Sequence, residues 1–161
     1  MTLLWGLLAC LGPWEDTDAA TLQLDLPAEG SVEGYFTLRL TGSTTGGDTG
    51  GGGSDQDVDF HADLSLRGVE QPVRVLFYSE TAELVPPVTD LSADGSWSTA
   101  THRCEVLAGT TTECWQDYRV RVESSPGALP QTLMLDVVAQ AQGEEGSWDD
   151  LQDAFLTVET P

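Results

Sequence analysis

The stretch VDFHADLSL, residues 58–66, decides the fold. Every second residue in it is apolar, and the residues between are mostly polar. The apolar positions are Val58, Phe60, Ala62, Leu64 and Leu66. Because successive side chains of a strand point to opposite faces, this pattern predicts a strand with one buried and one solvated face.

The same period of two recurs along the chain and predicts further strands. The alternating apolar residues are Leu22, Leu24 and Leu26; Phe36, Leu38 and Leu40; Val73, Val75 and Phe77; Tyr118, Val120 and Val122; Leu133, Leu135, Val137, Ala139 and Ala141; and Leu156 with Val158. Turn-rich pieces separate them. Seven to eight such strands predict an all-β fold, an antiparallel β-sandwich that is immunoglobulin-like in general architecture. A capping box at Ser147, with Leu151 and Phe155 four residues apart, predicts one or two helical turns before the last strand.

The length of 161 residues fits one domain with tails. We expect a signal peptide over 1–9, a lipid anchor and tether over 10–20, and the sandwich over 21–161. Residues 42–57, GSTTGGDTGGGGSDQD, predict a long, disordered Gly-rich loop inside that domain. The alternative is a linker between an N-terminal piece and a main domain, but two strands alone would not form a stable unit.

The chain is strongly acidic, with 27 acidic and 6 basic residues and a formal net charge of -21. A phosphate backbone requires basic contacts, so this balance argues against a nucleic-acid partner. All the basic residues are Arg, and the chain has no Lys, Asn or Ile. That joint absence indicates a GC-rich genome, although a halophilic source would also give a Lys-poor, acidic surface.

The N-terminal stretch MTLLWGLLACLG is apolar but too short to span a bilayer, which needs about 20 residues. Its length fits the apolar region of a signal peptide, although no Lys or Arg precedes it. Leu7-Leu8-Ala9-Cys10 resembles the lipobox of bacterial lipoproteins. The resemblance implies cleavage before Cys10, lipidation of Cys10 and, with Leu11 following, outer-membrane sorting in a Gram-negative cell. Ordinary secretion and a cytosolic N-terminus are the alternatives. We recognise no specific family for the β domain.

Three cysteines are an odd number, and lipidation of Cys10 would leave one pair. We expect Cys104 and Cys114 to form a disulfide that closes a loop of about 11 residues. The pair is close in sequence, which predicts a local clamp rather than an inter-sheet bridge and argues against an antibody-like domain. There are two alternatives to the disulfide. One is a zinc site made by His102 and the two cysteines, and the other is that both cysteines are free thiols.

Two groups of residues could hold a ligand. Asp55, Asp57 and Asp59 alternate along one face and form a candidate Ca²⁺ site, although Phe60 and Leu66 stand where a calcium loop needs Gly and Glu. The alternative is a solvated strand face. The second group is a candidate carbohydrate platform made by Trp97, Trp115 and Trp148. Those rings could instead cover the ends of the sandwich.

Enzyme signatures are missing from the sequence: it has no Gly-x-Ser-x-Gly, phosphate-binding loop or His-Glu-x-x-His. We therefore expect a non-enzymatic cell-envelope lipoprotein domain with a structural or binding role. Ca²⁺ is the one cofactor that we consider. We expect the lipid anchor to attach the domain to the membrane and expect its partner to be a protein or a glycan. The alternatives are a calcium- or carbohydrate-binding surface module and, from another class, a hydrolase that uses acidic residues.

Overall fold

The computed structural model describes residues 16–44, 56–79, 89–107, 109–143 and 151–161. Their secondary structure consists of strands, and no helix occurs in these ranges. The ten strands are β1 (Asp16–Leu26), β2 (Ser31–Thr44), β3 (Gln56–Arg67), β4 (Val73–Ser79), β5 (Thr89–Leu91), β6 (Gly95–Ser98), β7 (His102–Val106), β8 (Thr111–Ser124), β9 (Gln131–Gly143) and β10 (Leu151–Glu159).

The strands form two antiparallel sheets. The first sheet has the order β1-β9-β3-β6, and β7 also pairs with β3. The second sheet has the order β10-β2-β8-β4-β5. The predicted all-β sandwich is therefore confirmed, with ten strands instead of seven to eight. The extra strands are β5, β6 and β7, which have three, four and five residues.

Some strand ends differ from the predicted boundaries. β1 begins at Asp16, inside the expected tether. β2 reaches Thr44 and β3 begins at Gln56, so pairing enters both ends of the expected Gly-rich loop. Residues 151–159 form β10, so the predicted helical turns do not extend through Leu151 and Phe155; Ser147 lies outside the described residues. Pairing with β2 explains this, because tertiary contacts override a capping signal.

The core lies between the two sheets, and the predicted inward stripes all point into it. Leu22 and Val158 are partly buried, and the other members of those stripes are buried. Near the centre, the rings of Phe36, Phe77 and Tyr118 stack with centroids 5.1–6.1 Å apart. Aromatic packing of this kind adds to the stability that area burial supplies.

Cys104 and Cys114 form the predicted disulfide, with Cα atoms 5.9 Å apart. Cys104 lies on β7 in the first sheet, and Cys114 lies on β8 in the second. The expectation of a clamp within one loop, rather than a bridge between sheets, was therefore wrong. The chain crosses from one sheet to the other between β7 and β8, so two cysteines ten positions apart meet across the interior.

Among the described residues, no helix has the length and apolar character needed to cross a membrane.

Candidate binding face

The outward side of the second sheet carries an unusual set of side chains, which we call the arginine–aromatic face. It consists of the outward-facing residues of β10, β2, β8 and β4. Four of the six arginines lie on it, together with four aromatic rings. These residues are Arg39, Arg74, Arg119 and Arg121, and Tyr35, Tyr78, Trp115 and Phe155. In an acidic chain, the collection of most cations on one face distinguishes that face from the rest of the surface.

The centre of the face is a row of three residues on neighbouring strands. Tyr35 on β2 is opposite Arg119 on β8, which is opposite Tyr78 on β4. The guanidinium carbon of Arg119 lies 4.3 Å from the centre of the Tyr78 ring. A cation held over an aromatic face is attracted by the ring quadrupole. Arg119 therefore stacks on Tyr78, while Tyr35 lies opposite it on β2 and is 47% exposed.

A hydrogen bond connects this row to Glu33, which lies two positions before Tyr35 on β2. The Tyr35 hydroxyl donates to Glu33 at 2.6 Å. This bond lowers the pKa of Glu33, and the positive charges of Arg119 and Arg121 lower it further. The same bond raises the pKa of Tyr35, because ionisation would remove the donated proton. Glu33 is thus an ionised acceptor at neutral pH.

A second row joins Trp115 to Arg39. The two residues are opposite each other on β8 and β2, and the guanidinium carbon lies 5.8 Å from the centre of the indole. Arg39 also pairs with Glu113 and, at 2.9 Å, with Glu159. The arginine is therefore held from three sides, while Trp115 stays 48% exposed.

Arg119 differs from its neighbours on this face. Arg39 and Arg74 contact carboxylates within 3.0 Å, and Arg121 lies 3.6 Å from Glu33. No carboxylate of the described residues lies within ion-pair distance of Arg119. Aromatic rings and Arg are the residues most enriched where proteins bind their partners. The row therefore offers a ligand a cation that stacks on one ring and has a second, half-exposed ring on the neighbouring strand.

The candidate Ca²⁺ residues occupy the opposite side of the molecule. Asp57 and Asp59 lie on the outward face of β3, and Arg103 of β7 contacts both, at 3.8 and 3.0 Å. Asp55 lies outside the described residues. No cluster of three or more metal-ligating side chains occurs in the part of the chain that the structure describes. A calcium ion would therefore compete with Arg103, and the site stays a prediction.

The three candidate tryptophans do not share one surface. Trp115 lies on the arginine–aromatic face. Trp97 is on β6 of the first sheet, packs against the core, and meets the ring of Phe77 edge-on at 6.5 Å. Trp148 lies outside the described residues. Of the predicted carbohydrate platform, the structure leaves Trp115 as the ring on an open face.

The zinc alternative fails because both candidate thiols are oxidised in the disulfide. The remaining member, His102, lies in a cleft of about 310 Å³ beside it. His102 Nε2 is 2.6 Å from the Tyr118 hydroxyl. Burial raises the pKa of Tyr118 to about 12, so the phenol is neutral at physiological pH. This pair links β7 to β8 and reinforces the disulfide.

The alternation of apolar and polar residues did not predict the arginine–aromatic face. One signal was present: Arg119 and Arg121 alternate with buried residues on β8, and Arg39 does so on β2. Which residue meets which across the strands depends on register, and the alternation does not specify that.

Comparisons with known proteins give no relative. No family model matches the chain, and no curated protein matches it. Among solved structures, dimeric latent PorU from Porphyromonas gingivalis is matched over 79% of this chain and 13% of its own, at 10% identity and a TM-score of 0.22. VP1 of Trichodysplasia spinulosa-associated polyomavirus, in complex with sialylated glycooligomers, is matched over 78% and 77%, at 11% identity and 0.19. A structure of infectious bursal disease virus is matched over 87% of this chain and 39% of its own, at 8% identity and a TM-score of 0.21. The chain spans a small part of PorU, and similarity this low supports no functional argument.

Proposed function

We propose that this chain is a non-enzymatic, extracytoplasmic domain of the cell envelope, anchored to the membrane through lipidated Cys10, and that it binds a partner on its arginine–aromatic face. The anchor rests on the lipobox-like segment. The inter-sheet disulfide supports the compartment, because such bonds form and persist outside the reducing cytosol.

The observation that carries the binding role is the row Tyr35–Arg119–Tyr78. Its arginine is oriented by stacking over one ring rather than by an ion pair, and Tyr35 on its other side is half exposed. A guanidinium held in this way loses little side-chain entropy on meeting a ligand. Two tyrosines add apolar area that a partner can cover. A carboxylate or an amide of a protein or glycan partner fits this arrangement.

The test compares two arginine variants that remove the same charge. Arg119→Gln alters the face, and Arg67→Gln is the matched control, because Arg67 lies on the first sheet and pairs with Asp136 at 2.7 Å. Purified chains are measured against a glycan array and against solubilised envelope proteins. We expect the wild type and Arg67→Gln to be retained and Arg119→Gln to lose retention. Equal retention of all three chains, or of none, contradicts the binding role on this face.

The anchor has its own test, since it does not depend on the face. Cells that express the chain are labelled with radioactive palmitate, and the product is analysed by intact mass. We expect label and a diacylglycerol mass increment on the wild type and neither on Cys10→Ala. An unlabelled wild-type chain contradicts the anchor.

Carbohydrate is the second candidate ligand, and exposed Trp115 favours it. An indole ring can stack on the apolar side of a sugar while Arg39 and Glu113 beside it offer polar contacts. Trp115→Ala should then lose a specific signal on the glycan array and keep its melting temperature within about 3 °C, because the ring lies outside the core.

A further inference from the structure

We infer that the edge of β2 from Ser31 to Phe36 is a strand-addition site for an extended, cationic segment of a partner protein. This inference rests on the binding role proposed above and shares Tyr35 with the arginine–aromatic face, but it uses backbone groups at the edge of the sheet rather than the outward side chains. Its basis is an incomplete pairing of the second sheet next to a cleft between the two sheets.

The pairing of β2 with β10 stops partway along β2. β10 covers β2 from Thr44 to Thr37, where Glu159 is the last paired residue. From Ser31 to Phe36, β2 pairs with β8 on one side, and no strand of the described residues pairs with it on the other. Pro161 has no backbone N–H and cannot continue the ladder as a donor. An edge of this kind presents backbone donors and acceptors that can pair with another chain.

A cleft of about 390 Å³ lies at this unpaired edge. Residues 21–24 of β1 line one side, Glu33 and Tyr35 of β2 line the other, and Pro161 lies at one end. At the centre is Gly34. A Cβ atom there would lie 3.0 Å from a methyl group of Leu24 and 3.2 Å from one of Leu22, so glycine allows β1 to approach β2 closely. The floor of the cleft is thus apolar and made by both sheets.

The side chains along the edge define the chemistry of the incoming strand. An added strand would point alternate residues inward and outward. The inward residues would meet partly buried Leu22, which favours apolar side chains. The outward ones would lie beside the half-exposed ring of Tyr35 and beside ionised Glu33, which accepts from Tyr35 and lies 3.6 Å from Arg121. A Lys or Arg of the added strand can share that carboxylate and cover the ring.

The charge of the chain selects the occupant further. Two copies of a chain with net charge -21 repel each other, which disfavours pairing of this edge with its own copy. A cationic segment is attracted by the same field and gains backbone hydrogen bonds on arrival. The fitting partner therefore alternates apolar and basic residues in an extended conformation.

The probe is an eight-residue peptide of alternating Val and Lys, with blocked ends, added to the ¹⁵N-labelled chain. We expect slower hydrogen exchange at those amides of Ser31–Phe36 that point away from β8, because they gain partners. A peptide in which one central Val and one central Lys are both replaced by Pro should bind about tenfold more weakly or worse, because Val and Lys amides point to opposite sides of the strand and one of the two substitutions therefore removes a donor to β2. A Val–Glu peptide should leave exchange unchanged.

Two variants with the same change locate the site. Leu22→Lys places a charge on the floor of the cleft and should abolish the protection. Leu129→Lys is the matched control, because Leu129 is 68% exposed in the loop before β9, and it should bind as the wild type does. Melting curves and amide spectra test whether each variant folds. If Leu22→Lys does not fold, the proline and glutamate peptides test the same site on the wild type.

Three outcomes overturn the inference. The first is protection elsewhere, or none. The second is equal binding of the proline peptide, which excludes backbone pairing. The third is protection of Ser31–Phe36 that rises with protein concentration without peptide, which identifies a second copy as the occupant. Binding to the arginine–aromatic face is measured separately with Arg119→Gln, so a failure of that face and a failure of the strand-addition site give different results.

Discussion

Removal of the disulfide is the sharpest test of how the two sheets are joined. Cys104 and Cys114 are ten positions apart, so the bond closes a loop of about 11 residues. In the chain-entropy model, such a loop contributes about 3 kcal/mol to the free energy of unfolding. Cys104 is fully buried, so Cys104→Ala adds a small loss of packing. The double alanine variant should lose about 3 kcal/mol, or about 10 °C in melting temperature.

The location of the loss tests the topology. Among the described strands, β7 pairs only with β3, and the disulfide ties it to the other sheet. Without the bond, amides of His102–Val106 should exchange faster by a larger factor than amides in the central part of β8 near Val120. Measurement is by urea unfolding of both chains and by site-resolved hydrogen exchange. The wild type in a reducing agent serves as a second, mutation-free control.

Two results would refute this reasoning. Free thiols at both positions in the denatured, unreduced chain would show that the bond does not form. A loss of stability below about 1 kcal/mol, with faster exchange confined to residues near Gly109, would mean that the bond clamps its loop without joining the sheets.

Three further predictions concern other parts of the molecule. Burial raises the pKa of Tyr118 to about 12 against 10.0 for the free group, so the contribution of the neutral phenol to the free energy of unfolding is complete below pH 10 and is lost as the pH rises to about 12. Melting temperatures of Tyr118→Phe should therefore fall less than those of the wild type at alkaline pH. At pH 7 the variant should lose about 1 kcal/mol of stability, because the hydrogen bond of the hydroxyl is missing. Gly34→Ala should cost about 1–2 kcal/mol in urea unfolding, because its Cβ would press on Leu24, whereas Thr37→Ala on the outward side of the same strand should cost less. Arg103→Gln frees the neighbouring aspartates, so millimolar Ca²⁺ should raise its melting temperature more than that of the wild type; equal shifts would argue against calcium at that site.

The alternation of apolar residues was sufficient to predict the sandwich and its core. In the stretch from Val58 to Leu66, each apolar residue is buried, as the period of two requires. The alternation did not predict β5, because a strand of three residues contains less than two periods. The predicted helical turns failed for a different reason: a capping box is a local signal, and β10 is fixed by its pairing with β2.

The disulfide shows why a pairing can be predicted while its role is not. Composition and an odd cysteine count were sufficient to pair Cys104 with Cys114. Whether two strands belong to one sheet or to two is a long-range property, set by β3 for the first cysteine and by β2 for the second. Closeness in sequence therefore suggested a local clamp, although the chain crosses between the sheets within that interval.

The arginine–aromatic face depends on register in the same way, and more strictly. A slip of β2 by two residues against β8 would keep every apolar residue inside and every polar residue outside, so the sequence pattern would look unchanged. Arg119 would then lie opposite Glu33 or Thr37 instead of Tyr35, and the cation would gain a carboxylate or lose a ring. The binding property therefore arises from the observed register, which pairs Tyr35 with Arg119 and Arg119 with Tyr78. Residue alternation determines which side chains reach the surface, and register determines what they can do there.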